Sequence, residues 1–269
     1  MRRPTNLKSA VAWPGRLHVV TVVGLFLAVS SAHASLIAHY RFDSDFADAS
    51  VNANDLTVGG GSPGITTTSG EYRVGAGALD LNSTISDAHY LNLTTPISFS
   101  SGDTWSVVFW ARHRPGTDDR AGMIVGDLSN SNFIWIPQEG IINGGLRFRN
   151  STGGNGDYTT GNQPSGVYHH WAVIANGAGS IDGYYDNVFL GSKAVTTDLD
   201  ITSLGQAFSS AVHSMNGQID ELYIYDEAIS AATVNSLFNA VTGPVTIPEP
   251  TTGLLLATGL IGLGMRRRI

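Results

Sequence analysis

The sequence predicts an all-β fold, a sandwich of two antiparallel sheets with one short helix near its end. Two observations carry this prediction. Apolar side chains alternate with a period of two in "TWSVVFWAR", where Trp105, Val107, Phe109 and Ala111 would share one face of a strand. Short strand-like runs then recur along the chain between clusters of Gly, Asn, Asp and Ser, which is typical of sandwiches and barrels.

The strand-like runs follow one another along the middle of the chain. They read "LIAHYRF", "GALDL", "WSVVFWAR", "GMIVGD", "NFIWI", "GLRFRN", "HHWAVIAN", "GYYDNVFLG" and "IDELYIY". Asp186 and Asn187 tolerate the positive φ of a tight turn, which predicts a hairpin within "YYDNVF". After the last run, Ser230 can cap a short helix over "AATVNSLFNA", and we expect this helix to pack against a sheet edge.

Composition excludes several classes of protein. The chain of 269 residues has no cysteine, so neither a disulfide framework nor a Cys-ligated zinc site can form. The net charge is -7, and leaving out residues 1–34 and 248–269 leaves eight cations against 21 acids. Because a surface that follows phosphates needs clustered Lys and Arg, nucleic acid is not expected as a partner.

Residues 1–34 are predicted to be a secretory signal peptide. Basic residues come first, the apolar run "VVTVVGLFLAVS" follows, and Ala32 and Ala34 then fit the small-residue cleavage rule. The order of these three parts predicts export, with the cellular export machinery as the first partner.

The last residues form a second targeting segment. A linker at 241–247 leads to a Pro-Glu-Pro tripeptide, an uncharged run that is short for a transmembrane helix, and three arginines. These residues are Pro248, Glu249, Pro250, Arg266, Arg267 and Arg268. In this order they resemble the PEP-CTERM sorting signal of Gram-negative bacteria, here at 248–269.

That resemblance implies a partner and a destination. The partner is an exosortase-type transpeptidase, which would remove the tail after the hydrophobic helix has held the protein transiently in the inner membrane. The destination is the cell surface or extracellular matrix. A plain C-terminal membrane anchor is the alternative.

Residues 35–240 carry another resemblance. "LIAHYRFDSDFADASVNANDLTV", "GAGALDL", "WSVVFWAR", "YHHWAVIANGAGSIDGYYDNVFLGS" and "GQIDELYIYDEAISAATVNSLF" resemble, in order, segments of the laminin-G-like, concanavalin A-like jelly-roll domains. Val51, Ala53, Leu56 and Asn187 stand where glycines are usual in that family. The resemblance implies the jelly-roll β-sandwich, but this fold serves lectins, adhesins, enzymes and spacers alike.

The best candidate for a metal site is calcium bound to the opening loop. In "DASVNAND" the oxygen-bearing residues Asp48, Asn52 and Asn54 alternate, so several oxygens could turn inward. In the closing strand, alternation would put Asp220 on the same face as Leu222. Its carboxylate would then lie at the border of the core, where a cation would compensate its charge. The alternative is a surface turn whose side chains bond to their own backbone.

Catalysis finds little support in the sequence. Asp220 and Glu221 are neighbours and would point to opposite faces of a strand, which is wrong for a cooperating pair of carboxylates. His169 and His170 would likewise face opposite ways. No nucleophile motif or phosphate-binding loop is present, so we predict that the chain is not an enzyme.

The leading hypothesis for function is recognition of a glycan or a protein. Sugars are recognised by aromatic faces and hydrogen-bonding side chains, and Trp135, Tyr158, Arg147 and Arg149 lie in or near loop-rich stretches. The alternative for the aromatic residues is the sandwich core, so no residue is assigned to a sugar site from the sequence. The sequence thus predicts an exported, non-catalytic surface or matrix module that binds a polysaccharide or a surface protein, with calcium as its structural cofactor. A matrix protein without a specific ligand and a divergent glycan-active enzyme are the alternatives.

Overall fold

The computed structural model describes residues 35–115, 121–129, 132–137, 144–152, 154–161, 163–207 and 211–240. The predicted signal peptide with Ala32 and Ala34, the linker at 241–247 and the sorting signal at 248–269 with its hydrophobic helix lie outside these residues. Within the described ranges, no helix is long and apolar enough to cross a membrane.

Strands make up about half of the described chain. They are β1 Leu36–Tyr40, β2 Leu56–Gly60, β3 Gly64–Thr66, β4 Ala78–Asn82, β5 Tyr90–Phe99, β6 Thr104–His113, β7 Met123–Gly126, β8 Phe133–Trp135, β9 Gly145–Arg149, β10 Asn155–Thr159, β11 His169–Asn176, β12 Ser180–Tyr185, β13 Val188–Ala194, β14 Leu199–Leu204 and β15 Asn216–Tyr225. A 3-10 turn spans Ala211–His213 and one helix, α1, spans Ala231–Asn239.

The strands form two antiparallel sheets. The eight-stranded sheet has the order β13-β12-β11-β6-β15-β4-β3, and β1 also pairs with β15. The seven-stranded sheet has the order β10-β9-β8-β7-β14-β5-β2. The first and last strands of the chain therefore lie side by side, and the predicted β-sandwich of two antiparallel sheets is confirmed.

The core lies between the two sheets. Alternation in β6 sends Trp105, Val107 and Phe109 inward, where they join the main apolar cluster, while Val108 and Trp110 face outward. This is the periodicity that the sequence predicted. Here the inner face means the side of a sheet that contacts the other sheet, and the outer face means the opposite side.

Helix α1 is capped as predicted but packs elsewhere. The Ser230 hydroxyl accepts a hydrogen bond from the Thr233 N–H at 3.2 Å. Val234 and Leu237 join a second apolar cluster on the outer face of the eight-stranded sheet, together with Val108 and other residues of central strands. The prediction that α1 packs against a sheet edge was therefore wrong. The outer face of β6, β11 and β15 is apolar, and α1 packs on it and shields it from solvent.

A β-bulge in the closing strand puts its two neighbouring acidic residues on the same face. Glu221 has φ 49°, and the register of β15 against β6 shifts between Asp220 and Tyr223. Ile219 and Leu222 both belong to the inner core, so the two residues between them lie on the outer side. The expectations that Asp220 shares a face with Leu222 and that Glu221 points away from Asp220 were therefore wrong.

Candidate binding and metal sites

The opening loop is organised around the carboxylate of Asp48. Its Oδ1 accepts the N–H groups of His39 and Ser50, both at 2.8 Å, and its Oδ2 accepts the Ser50 hydroxyl at 2.8 Å and the Asn54 N–H at 2.9 Å. Burial raises the pKa of Asp48, but these hydrogen bonds outweigh burial and hold the pKa below its ordinary value. All four lone-pair positions of this carboxylate are therefore in use.

The two asparagines of the loop tie it to its neighbours. Asn54 binds the backbone of Thr95 twice, donating from Nδ2 to its carbonyl at 2.7 Å and accepting its N–H at 2.8 Å. Asn52 donates from Nδ2 to the Ile37 carbonyl at 3.0 Å. Both asparagines line an open cavity of about 310 Å³ together with Ile37, Ala53 and residues 94–97. These hydrogen bonds fix the loop as one side of this open cavity, whose lining is both polar and apolar.

Asp220 lies against a different loop. Its Oδ2 accepts the N–H groups of Arg73 at 2.7 Å and Val74 at 2.9 Å, and its Oδ1 has no hydrogen-bond partner. The side chain is fully buried, and burial raises the pKa of Asp220 to about 7 although the two N–H groups lower it. This carboxyl pins residues 73–74 to the outer face of the eight-stranded sheet.

These arrangements bear on the calcium hypothesis. Asp48, Asn52 and Asn54 belong to one hydrogen-bonded loop, whereas Asp220 bonds to residues 73–74. Across the described residues, no group of three or more His, Asp or Glu side chains is placed to hold a metal ion. A calcium ion would have to displace hydrogen bonds that Asp48 already makes, so this arrangement of donors does not fit calcium. Calcium binding stays a prediction from the sequence alone.

Replacing Asp48 by asparagine is expected to destabilise the fold by about 1–3 kcal/mol, since one amide NH₂ must face backbone N–H groups that need an acceptor. Chemical denaturation would measure this change. The matched control is Asp45→Asn in the same loop, because Asp45 is exposed and an asparagine Oδ1 can still accept the Ala47 N–H. Equal stability of the two variants would contradict a central role for Asp48.

The second acidic residue of the bulge is held in a buried pair. Glu221 Oε2 lies 2.7 Å from His39 Nε2 and accepts the Tyr223 hydroxyl at 2.6 Å. The His39 ring stacks on Tyr223 with centroids 4.1 Å apart. His39 and Glu221 are each 2% exposed, so this cluster ties β1 to β15 away from solvent. Sequence reasoning missed the cluster because it depends on the bulge.

The outer face of the seven-stranded sheet carries an arginine–aromatic face. It consists of Phe133, Trp135, Arg147, Arg149, Asn155 and Asp157. Register places Trp135 opposite Arg147 and Arg147 opposite Asp157, while Phe133, Arg149 and Asn155 form the next row. The inward neighbours Leu146 and Phe148 belong to the core, which confirms that both arginines point outward.

Contacts within this face hold its guanidinium groups in place. Arg147 lies 5.5 Å from the Trp135 ring and donates to both oxygens of Asp157 at 2.7 Å. Arg149 lies 5.9 Å from the Phe133 ring. Both rings are nearly fully buried, whereas Arg149, Asn155 and Asp157 reach solvent. Polar groups fixed on buried rings therefore form the surface that a ligand would meet.

Three other residues considered as site candidates from the sequence, one tyrosine and two histidines, contact other side chains or the backbone of the sandwich. Tyr158 points inward, where its hydroxyl donates to the Ile181 carbonyl, so it does not join the arginine–aromatic face. His169 contacts Tyr185, and His170 contacts Trp110 and Phe238 on the outer face. The two histidines thus face opposite ways, as the sequence predicted.

Two family models match the chain. Residues 86–235, more than half of it, match the model described as the concanavalin A-like lectin/glucanases superfamily. Residues 246–268 match the PEP-CTERM protein-sorting motif, which indicates export and sorting to the cell surface. No curated protein matches the chain.

Solved structures share the fold. Domain 4 of AbnA, a GH43 extracellular arabinanase from Geobacillus stearothermophilus, in complex with arabinotriose, is 23% identical with a TM-score of 0.59, covering 76% of this chain and 98% of that one. The binding domain of Paraclostridial Mosquitocidal Protein 1 is 19% identical with a TM-score of 0.56, covering 76% and 52%. The chain thus spans about half of that toxin domain, and both likenesses show the fold alone.

Proposed function

Since this chain belongs to the concanavalin A-like lectin/glucanase superfamily and carries the PEP-CTERM sorting motif, we propose that it is a non-catalytic carbohydrate-binding module on the outside of a Gram-negative bacterium. An exosortase-type transpeptidase would process its tail after transient anchoring in the inner membrane. The ligand class is a polysaccharide of the cell surface or matrix.

The observation that carries this proposal is the arginine–aromatic face. Sugar hydroxyls both donate and accept hydrogen bonds, and this face offers guanidinium donors next to the Asp157 carboxylate, whose side chain is 35% exposed. Because Arg147 and Arg149 are held on rings, less side-chain entropy is lost when a ligand binds. The structural neighbour that was solved with arabinotriose supports carbohydrate as the ligand class.

The buried state of the paired acidic residues supports the non-catalytic part of the proposal. A glycosidase needs two carboxyl groups that flank one glycosidic bond of a bound substrate. Asp220 and Glu221 share a face, but they are 0% and 2% exposed and bond to protein groups. A substrate cannot reach them without displacing residues 73–74 or His39.

Replacing Arg149 by alanine is expected to weaken polysaccharide binding about tenfold or more, because charge-assisted hydrogen bonds to the ligand are lost. A glycan array would identify the ligand, and affinity electrophoresis would measure the change. Arg41→Ala is the matched control, since Arg41 pairs with Asp43 at 2.6 Å and lies outside this face. A negative array, or binding that Arg149→Ala leaves unchanged, would overturn the proposed site.

The calcium hypothesis has its own measurement. We expect the melting temperature to be the same in EDTA and in added calcium, because the Asp48 carboxylate is saturated by protein donors. If added calcium instead raises the melting temperature, and Asp48→Asn abolishes this rise, the calcium site is established. Differential scanning calorimetry on the wild type and this variant decides between the two.

A further inference from the structure

Two histidines lie on the inner face of the eight-stranded sheet near one end of β6 and β11. His169 pairs directly with Ala111 of β6, and His113 follows two residues later in the same strand. Ala111 and Trp171 both belong to the inner core, so the alternation of β6 and β11 places His113 and His169 on that side as well. Diagonal neighbours of this kind have Cβ atoms up to about 7–8 Å apart, which is close enough for two imidazole rings to reach one another.

The hydrogen bond of His113 fixes its tautomer. Its Nε2 lies 2.8 Å from the Ile136 carbonyl, and because a carbonyl can only accept, Nε2 carries the proton. The other ring nitrogen, Nδ1, therefore carries the lone pair. That atom is buried and has no partner.

The partners of His169 lead to the complementary tautomer. Its Nδ1 lies 2.8 Å from Asp186 Oδ2 and 2.8 Å from the Tyr185 hydroxyl. Asp186 also accepts the His170 N–H at 2.9 Å through its Oδ1, and because a carboxylate can only accept, His169 Nδ1 carries the proton. His169 Nε2 is therefore the free nitrogen, and it too is buried without a partner.

This pattern is the one that metal-binding histidines show. A ligating histidine nearly always donates its other ring N–H to a carboxylate or a backbone carbonyl, which orients the ring and raises its basicity. His169 uses the Asp186 carboxylate and His113 uses the Ile136 carbonyl. Each buried imidazole lone pair without a partner destabilises the folded state. One metal ion bound to both nitrogens would remove both penalties.

We propose that His113 Nδ1 and His169 Nε2 together bind one divalent transition-metal ion of the zinc and copper class. Imidazole nitrogen suits these ions, whereas calcium takes oxygen ligands. The His169 side chain is 12% exposed and gives the route of entry. Because the protein supplies two nitrogens, the remaining coordination positions are open to water or to a ligand atom.

Copper is the sharpest probe, since Cu²⁺ binds nitrogen sites most tightly among these ions. Titration of the purified protein with Cu²⁺ in a calorimeter is expected to give one site, and its electron paramagnetic resonance spectrum should show coupling to two imidazole nitrogens. Zn²⁺ should compete for the same site. No binding, or a spectrum with one or no coupled nitrogen, would overturn the proposal without any variant.

Variants then locate the site. Asp186→Asn keeps an acceptor for the His170 N–H but removes the carboxylate that receives the His169 proton, so we expect affinity to fall about 10–100-fold. His169→Gln should abolish the two-nitrogen signal. His170→Gln, a buried histidine that faces the other way, and His89→Gln, which pairs with exposed Asp87, should leave binding unchanged. Loss of binding in a control, or its survival in His169→Gln, would contradict the assignment.

Discussion

Replacing His39 by alanine is expected to lower the free energy of unfolding by about 3–5 kcal/mol, the range typical for breaking a buried pair from one side. The Glu221 carboxylate would keep one hydrogen bond, from the Tyr223 hydroxyl, in a position that water does not reach. The variant also loses the stacking of the His39 ring on Tyr223. Urea denaturation would measure the shift in midpoint, with an unchanged slope confirming two-state unfolding.

Two further variants separate the pair from general effects of a histidine substitution. His39→Gln retains an N–H donor at a similar distance from Glu221, so we expect it to recover a large part of the loss. His89→Ala removes a histidine that lies 3.3 Å from Asp87, whose side chain is 65% exposed, and such pairs contribute about 0–1 kcal/mol. A His39→Ala variant no less stable than His89→Ala would show that the buried pair contributes little.

The sequence predicted the fold well where alternation is clean. The segment containing Trp105 and Phe109 alternates without interruption, and the structure confirms both of its faces. Strand β5 was missed because its exposed stretch contains two threonines and Pro96, which do not read as a strand. Strand β14 was also missed, since its alternation is only four residues long and ends at Ser203. Both segments form strands because neighbouring strands pair with them, and their own residue patterns do not indicate this pairing.

The site was less predictable because it depends on register and on a bulge. Trp135, Arg147 and Arg149 could be named from their types, but only the pairing of β8 with β9 brings them together. Bulges with positive φ are usually marked by Gly, Asn or Asp, and Glu221 gives no such signal. One inserted residue therefore puts both acidic residues on the outer face, where the sequence predicted opposite faces.

Asp220→Asn is expected to stabilise the protein by about 4 kcal/mol at pH 8 and to have little effect at pH 4. Asparagine has nearly the same shape, and its Oδ1 can accept the N–H groups of Arg73 and Val74. The substitution removes a carboxylate that must otherwise lose its proton inside the fold. Each pKa unit corresponds to about 1.4 kcal/mol, and the shift here is from 3.8 to about 7.

The direction of the pH dependence follows from proton linkage. Because the folded state holds the Asp220 proton more tightly than the unfolded state, the stability that this residue contributes is fully present below pH 3.8 and is lost as pH rises toward 7. The asparagine variant lacks this loss, so the difference between the proteins should grow over that range and stay constant above it. Thermal unfolding from pH 4 to pH 8 would trace the difference.

A third variant distinguishes hydrogen bonding from charge at the same position. Asp220→Ala removes the acceptor for both N–H groups of residues 73–74 as well as the charge, so we expect it to be less stable than Asp220→Asn by about 1–3 kcal/mol at every pH. If Asp220 instead binds a cation, Asp220→Asn would be less stable than the wild type at pH 8, and only when that cation is present. The sign of the change at pH 8 therefore decides whether this buried carboxyl acts through its oxygen as an acceptor or through its charge.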